Sequence, residues 1–226
     1  MHLEEIKRRL SELSSLKIQE FSKKLIPNSL PILGCKIPDV RKLAKEICKG
    51  DFYLFLKEYD ASSYELQLCY AYVISAAKMS IEERISYLRV FVKEIQDWAV
   101  CDGLISSLKC TIKHQKEMFE FIKEYQDSHQ EFEVRFLAEM LMWYYITPEY
   151  VEISCQIIQG LCIDQYYAKM GVAWFIATLM VSYKEQAYFL LEHIEDPITV
   201  HFAIRKIRDS YRIDIEDKNR VLMYKK

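Results

Sequence analysis

A tryptophan and an aspartate one helical turn apart are the side chains of this sequence that best suit chemistry. Trp98 and Asp102 are four residues apart, so both project from one face of a helix. The residues between them, Ala99, Val100 and Cys101, are small and leave room beside the indole ring. A carboxylate beside an aromatic face can stabilise a cation in a cleft. Taken alone, the spacing is more typical of a core tryptophan with a solvated aspartate.

Two further residues follow at nearly equal intervals. Arg135 lies 37 residues after Trp98, and Trp174 lies 39 residues after Arg135, close to the roughly 40-residue unit of HEAT-like helical pairs. Residues at the repeat length fall on equivalent helices, so two indoles, one carboxylate and one guanidinium would converge on one face of the stack. Arg135 also has Glu131 and Glu139 at ion-pair spacing, and Trp174 also fits an ordinary core, so these interpretations stay open.

Helices must position these residues, because apolar side chains recur at intervals of three and four rather than two. A first stripe over 3–26 is interrupted at Ser14 and Ser15, and residues 27–38 are expected to form a loop. Pro148 and Pro197 are expected in first turns. The further helices are expected at 39–50, 52–59, 63–78, 80–95, 97–113, 116–125, 131–146, 148–159, 164–182, 185–194, 198–211 and 216–224. The pattern predicts one all-α domain, 1–226, a right-handed superhelix of HEAT-like antiparallel helix pairs, that is, an α-solenoid.

The placement of charge bears on whether nucleic acid is a partner. The chain carries 31 Lys and Arg against 33 Asp and Glu, a net charge of -2, which by itself argues against DNA. Residues 1–50 hold 11 basic and 6 acidic side chains, and residues 201–226 hold 8 and 4. The middle, 51–200, holds 12 and 23. Two basic ends on a curved solenoid would suit contacts with the flanks of a DNA duplex that lies along the concave face.

Several other classes of protein find no support. The charged N-terminus predicts no signal peptide, and no apolar stretch is long enough to span a membrane. Seven cysteines without a CxxC pair, mostly in apolar segments, predict reduced thiols in a cytoplasmic protein. The five histidines lack metal-ligand spacing, so no metal site is expected. Phosphate-binding glycine motifs are absent, so no cofactor is expected.

One set of residues occurs in a characteristic order along the chain: Gly34-x-x-x-Pro38-x-x-Arg41, Trp98-x-x-x-Asp102, Arg135 and Trp174. In order and approximate spacing this set resembles the AlkD-type DNA alkylation repair proteins, which are HEAT-like-repeat glycosylases that remove alkylated purines. The resemblance covers most of the chain, from the early loop to the basic segment 205–212. It implies a monomeric, metal-free, monofunctional glycosylase that acts on 3-methyladenine and 7-methylguanine in duplex DNA.

The resemblance also implies a role for each residue. An alkylated purine that carries a positive charge is already a good leaving group, so the demand falls on the sugar, which becomes oxocarbenium-like. Asp102 would stabilise that cation and hold the attacking water. Trp98 and Trp174 would present ring faces to the cationic sugar and nucleotide. Arg135 would fix a phosphate of the lesion strand.

Basic residues around this set are expected to bind the DNA backbone: Lys36, Arg41, Lys42, Lys169, Arg205 and Arg208. Charge clusters also commonly mark solvated helix faces, and Trp143 with the pair Tyr144 and Tyr145 is interpreted as core and helix-edge packing. Two alternative functions remain. One is a protein of the same fold that binds damaged or branched DNA without excising a base. The other is a protein-binding HEAT-like scaffold, which the acidic middle segment suits.

Overall fold

The computed structural model describes residues 1–26 and 30–225, so the first three residues of the predicted 27–38 loop lie outside the described residues. The regular secondary structure of the described residues consists of α-helices and two short 3-10 helices, which confirms the all-α class. They form two compact units, Met1–His114 and Gln115–Lys226. That the whole chain is one domain with a right-handed superhelical path stays a prediction.

In the first unit, the long apolar helix α5 is central. The helices are α1 (Leu3–Glu12), α2 (Leu16–Leu25), α3 (Ile37–Ile47), α4 (Phe52–Glu58), α5 (Tyr64–Ala76), α6 (Ile81–Glu94) and α7 (Trp98–Ser107), followed by a 3-10 helix, Lys109–Ile112. Every residue of α5 from Tyr64 to Ser75 is buried, because α3 packs on one side of it and α7 on the other. Helices α1 and α6 also contact α5.

The second unit repeats this arrangement around α11. Its helices are α8 (Gln115–Lys123), α9 (Glu131–Tyr144), α10 (Val151–Gly160), α11 (Tyr166–Leu179), α12 (Lys184–His193), α13 (Pro197–Asp209) and α14 (Ile215–Arg220), followed by a 3-10 helix, Val221–Tyr224. Helix α11 packs between α9 and α13, while α10 packs against α12. Within each unit, helices that are two apart along the chain therefore pack side by side in one layer. This is the sequential packing of an α-solenoid.

Several predicted helix boundaries differ from those observed, most clearly at the end of α7 and the start of α10. The helix predicted over 97–113 ends at Ser107, because Leu108 leaves helical geometry with a ψ of 50° and a separate 3-10 turn follows. Pro148 precedes α10, in a turn where the amide of Val151 donates to the carbonyl of Thr147. Pro197, by contrast, lies in the first turn of α13, as predicted.

The seven cysteines are all free thiols, and four of them are buried. None of the helices in the described part of the chain combines the length and the apolar character needed to cross a bilayer.

Candidate functional site

Helix α7 carries the tryptophan–aspartate pair, and Asp97 determines where this helix begins. The Asp97 side chain accepts a hydrogen bond from the Val100 amide at 2.9 Å and so caps the first turn. Trp98 and Asp102 follow, one turn apart and both half-buried. The indole N–H of Trp98 donates to the carbonyl of Leu25, the last residue of α2, at 3.1 Å. Two hydrogen bonds, one to Asp97 and one to Leu25, therefore hold the start of α7. The Trp98 and Asp102 side chains remain partly exposed to solvent.

Asp97 itself is an unusual neighbour for this pair. It is only 3% exposed, and its Oδ2 atom has no hydrogen-bond partner among the described residues. Burial, with a smaller contribution from the charge of Asp102, raises the pKa of Asp97 from 3.8 to about 6. Asp97 is not among the functional residues predicted from the sequence. Its position directly before an apolar helix is typical of an N-cap, and this is the one signal that marks it.

A buried glutamate orders the loop that precedes α3. The carboxylate of Glu65 accepts from the amides of Leu33 at 2.8 Å, Gly34 at 2.6 Å and Cys35 at 3.1 Å. Gly34 has a φ of +93°, the left-handed region that favours glycine. A Cβ at Gly34 would meet the carbonyl of Ser15. This loop therefore requires the glycine of the sequence motif, and it sets the start of α3.

Helix α3 and the residue directly before it carry three of the residues predicted to bind DNA. Lys36 and Lys42 are exposed, whereas Arg41 is half-buried. The Arg41 guanidinium lies 4.1 Å from the ring centroid of Tyr72 and donates to Ser107 Oγ at 2.8 Å. Arg41 therefore joins α3 to α5 and to the end of α7, while the two lysines remain open to solvent.

In the second unit, Arg135 is a buried residue. Its side chain is 5% exposed and forms an ion pair with Glu139 at 2.5 Å. It also donates to the carbonyl of Tyr167 in the first turn of α11, at 3.2 Å. Of the two glutamates at ion-pair spacing, Glu139 is the partner of Arg135, whereas Glu131 accepts from the Tyr167 amide at 2.6 Å. Arg135 thus connects α9 to the start of α11.

Trp174 projects from α11 and is not part of the buried core. It is 42% exposed, and the Lys206 ammonium lies 4.5 Å from its ring centroid. Trp143 is 47% exposed, so it lies at a helix edge and not in the core, within the expected core and helix-edge packing. The adjacent Tyr144 and Tyr145 are buried, as that interpretation requires. The apolar character of the segment does not distinguish these faces, because α9 is apolar around most of its circumference.

The remaining predicted DNA contacts lie on α11 and α13. Lys169 is largely buried and forms an ion pair with Asp196 at 2.7 Å. The same Asp196 carboxylate caps α13 by accepting from the Thr199 amide at 2.7 Å. Arg205 and Arg208 are exposed on α13 and line an open cleft of about 610 Å³. The other residues that line this cleft are His201, Ile204, Asp209, Ile215, Lys218, Asn219 and Lys225.

The structure thus assembles the predicted residues in two groups, one in each compact unit. The first holds Trp98 and Asp102 on α7, and the second holds Arg135 and Trp174 on α9 and α11. That the two groups share one cleft stays a prediction.

Comparison with protein families gives a match. A family model described as DNA alkylation repair enzyme matches residues 6–207 of the chain. The match includes all the predicted site residues except Arg208. No curated protein matches the chain.

Proposed function

Because the chain belongs to the DNA alkylation repair enzyme family, we propose that it hydrolyses the N-glycosidic bond of cationic alkylated purines in duplex DNA. The observation that carries this proposal is the pair Trp98 and Asp102, which lies half-exposed on one face of α7. A carboxylate and an aromatic face on the same helical turn suit a cation that develops at a sugar.

In the proposed reaction, the glycosidic electron pair leaves with the alkylated base, which becomes neutral. The sugar passes through an oxocarbenium-like state, and a water oxygen then bonds to its anomeric carbon. Asp102 stabilises the cationic sugar, holds the water and accepts its proton. Trp98 presents its ring to the sugar, and Trp174 presents its exposed ring to the nucleotide. No step in this scheme requires a metal or a cofactor.

The burial of Arg135 bears on its part in this scheme. A direct contact with phosphate requires the guanidinium to turn outward and to give up its pair with Glu139. The contacts of Arg135 favour a positioning role, in which it holds the start of α11 against α9 and so orients Trp174. The DNA backbone then contacts the exposed Lys36, Lys42, Arg205 and Arg208. The protein binds one duplex as a monomer.

The test is release of free base from methylated duplex DNA. Under single-turnover conditions with protein in excess, the wild-type protein should release 3-methyladenine or 7-methylguanine. Asp102→Asn should lower the excision rate by at least about 100-fold and leave DNA affinity nearly unchanged, because it removes only the charge. Asp127→Asn, at an exposed turn residue, is the matched control and should excise at the wild-type rate.

Other outcomes would select the alternative functions. Intact substrate with wild-type protein, together with salt-dependent DNA binding, would identify a non-catalytic binder of damaged or branched DNA. The absence of DNA binding even at low salt would identify a protein-binding scaffold.

A further inference from the structure

A histidine, a cysteine and an aspartate meet at two neighbouring loops of the second unit. His129 lies in the loop before α9, and Cys162 and Asp164 lie in the loop before α11. Their ligand atoms, one from each side chain, all lie within 4.8 Å of one another. The Cys162 thiol donates to the Asp164 carboxylate at 3.2 Å. None of the roles proposed above uses these three side chains.

The backbone that carries the cluster is held in place across the two loops. The Gln165 side chain donates to the carbonyl of His129 at 3.1 Å, and the Tyr167 amide donates to Glu131 at 2.6 Å. Within the first loop, the Gln130 amide donates to Ser128 Oγ at 3.0 Å. These bonds fix both chain segments that contribute ligands, so a bound ion would have only side chains to reorganise.

The chemistry of the ligands selects the ion. A thiolate, an imidazole and a carboxylate together suit Zn²⁺, whereas Mg²⁺ and Ca²⁺ require oxygen ligands. Tetrahedral zinc with bonds of about 2.0–2.3 Å places its ligand atoms about 3.5 Å apart. The cluster therefore needs to close by about 1 Å, and its two exposed side chains, His129 and Asp164, are open to rotation.

We propose that His129, Cys162 and Asp164 bind one Zn²⁺ ion. A ring nitrogen of His129, the Cys162 sulfur and one Asp164 oxygen occupy three positions, and a water molecule occupies the fourth. The thiol proton of Cys162 passes to the buffer when the sulfur–zinc bond forms. The bound ion cross-links the loops before α9 and α11, which are the helices that carry Arg135 and Trp174. This site is independent of the proposed glycosylase reaction.

The experiment uses the full chain freed of metal by a chelator. Titration with Zn²⁺ in competition with a chromophoric chelator should give one ion per chain, and Co²⁺ should give a thiolate-to-cobalt charge-transfer band. Cys162→Ser should lower zinc affinity by at least about tenfold and abolish the charge-transfer band. His129→Asn and Asp164→Asn should also weaken binding. At the same zinc concentration, the Tm of the wild-type protein should rise more than that of Cys162→Ser.

Two controls match the ligands in type. Cys110→Ser changes another half-buried thiol and His193→Gln another exposed imidazole, and both should retain wild-type zinc affinity. Zinc binding by the wild-type protein no tighter than by Cys162→Ser would overturn the proposal. A cobalt complex without thiolate charge transfer would overturn it equally.

Discussion

The two aspartates at the start of α7 differ in environment, and this difference separates their roles. Asp102 reaches solvent on the face that carries Trp98, whereas Asp97 is buried and caps the helix. Ionised Asp97 has one carboxylate oxygen without a hydrogen-bond partner among the described residues. At neutral pH the molecule therefore carries the cost of a buried charge next to the residue proposed to do the chemistry.

Replacing Asp97 by Asn should stabilise the protein at neutral pH, because Asn also caps helices but carries no charge. The folded-state pKa of Asp97 is raised from 3.8 to about 6, so the folded state binds the proton more tightly than the unfolded state does. The contribution of Asp97 to wild-type stability therefore falls as pH rises from about 4 to about 6 and is constant above. Asp97→Asn should gain up to roughly 3 kcal/mol above pH 7 and nothing near pH 3.5.

Urea unfolding at several pH values measures this difference. Asp51→Asn is the control, because Asp51 caps α4 in the same way, through the Leu54 amide, but is exposed. It should change the free energy of unfolding by less than about 0.5 kcal/mol across the range. A stability gain in Asp97→Asn that is independent of pH would contradict the prediction.

At the scale of helices, substitutions in the buried ion pair of Arg135 and Glu139 test whether Arg135 serves in packing or in phosphate binding. Glu139→Gln should destabilise the protein by about 3–5 kcal/mol, because it leaves the buried guanidinium without its counter-charge. The double variant Arg135→Met with Glu139→Leu should recover most of this loss. It should also retain base excision if Arg135 only holds α9 against α11. Recovered stability without excision, together with weaker DNA binding, would show that the guanidinium itself contacts the DNA.

The loop before α3 gives a second prediction at this scale. Gly34→Ala should destabilise the protein by at least about 3 kcal/mol, because it combines a left-handed φ with a Cβ only 2.7 Å from the Gln19 amide nitrogen. Gly160→Ala is the control, since a Cβ at Gly160 meets no atom within 4 Å. Thermal unfolding of both variants checks the prediction, which fails if both have the Tm of the wild-type protein.

For the whole molecule, the distribution of charge matters more than its net value of -2. Arg205 and Arg208 are exposed on α13 in a cleft that also holds Lys218 and Lys225. If they contact phosphates, Arg205→Ala with Arg208→Ala should reduce the slope of log Kd against log salt by about 2. The pair Lys49→Ala and Lys57→Ala removes two exposed charges outside the predicted contacts. That control should leave the slope unchanged, and an equal effect of both pairs would show only non-specific attraction.

Much of this fold can be predicted from the sequence, because apolar periodicity and capping residues are local signals. The all-α class, the break at Ser14 and Ser15 and the start of α13 at Pro197 all depend on such signals. The end of α7 at Ser107 does not, because neither glycine nor proline marks Leu108.

The environment of the site residues is harder to predict, because burial depends on which helices pack together. Helical spacing places Glu131 and Glu139 equally well beside Arg135, and only the packing of α11 on α9 determines that Glu139 forms the ion pair. Motif spacing likewise does not predict the cluster of His129, Cys162 and Asp164. His129 and Cys162 are 33 residues apart, and contacts between loops bring them together.

Helix α2 is attached to the first unit in a way that bears directly on Trp98. None of its residues, Leu16–Leu25, is buried, and Phe21 is 62% exposed. Gln19 donates to the carbonyl of Ile32 at 2.5 Å, and the indole of Trp98 donates to Leu25. Water can replace such bonds at little net cost, and no buried residue of α2 is exposed when they break. If Trp98 contacts a nucleotide as proposed, we therefore expect its indole to give up Leu25 in α2 while the rest of the unit stays folded.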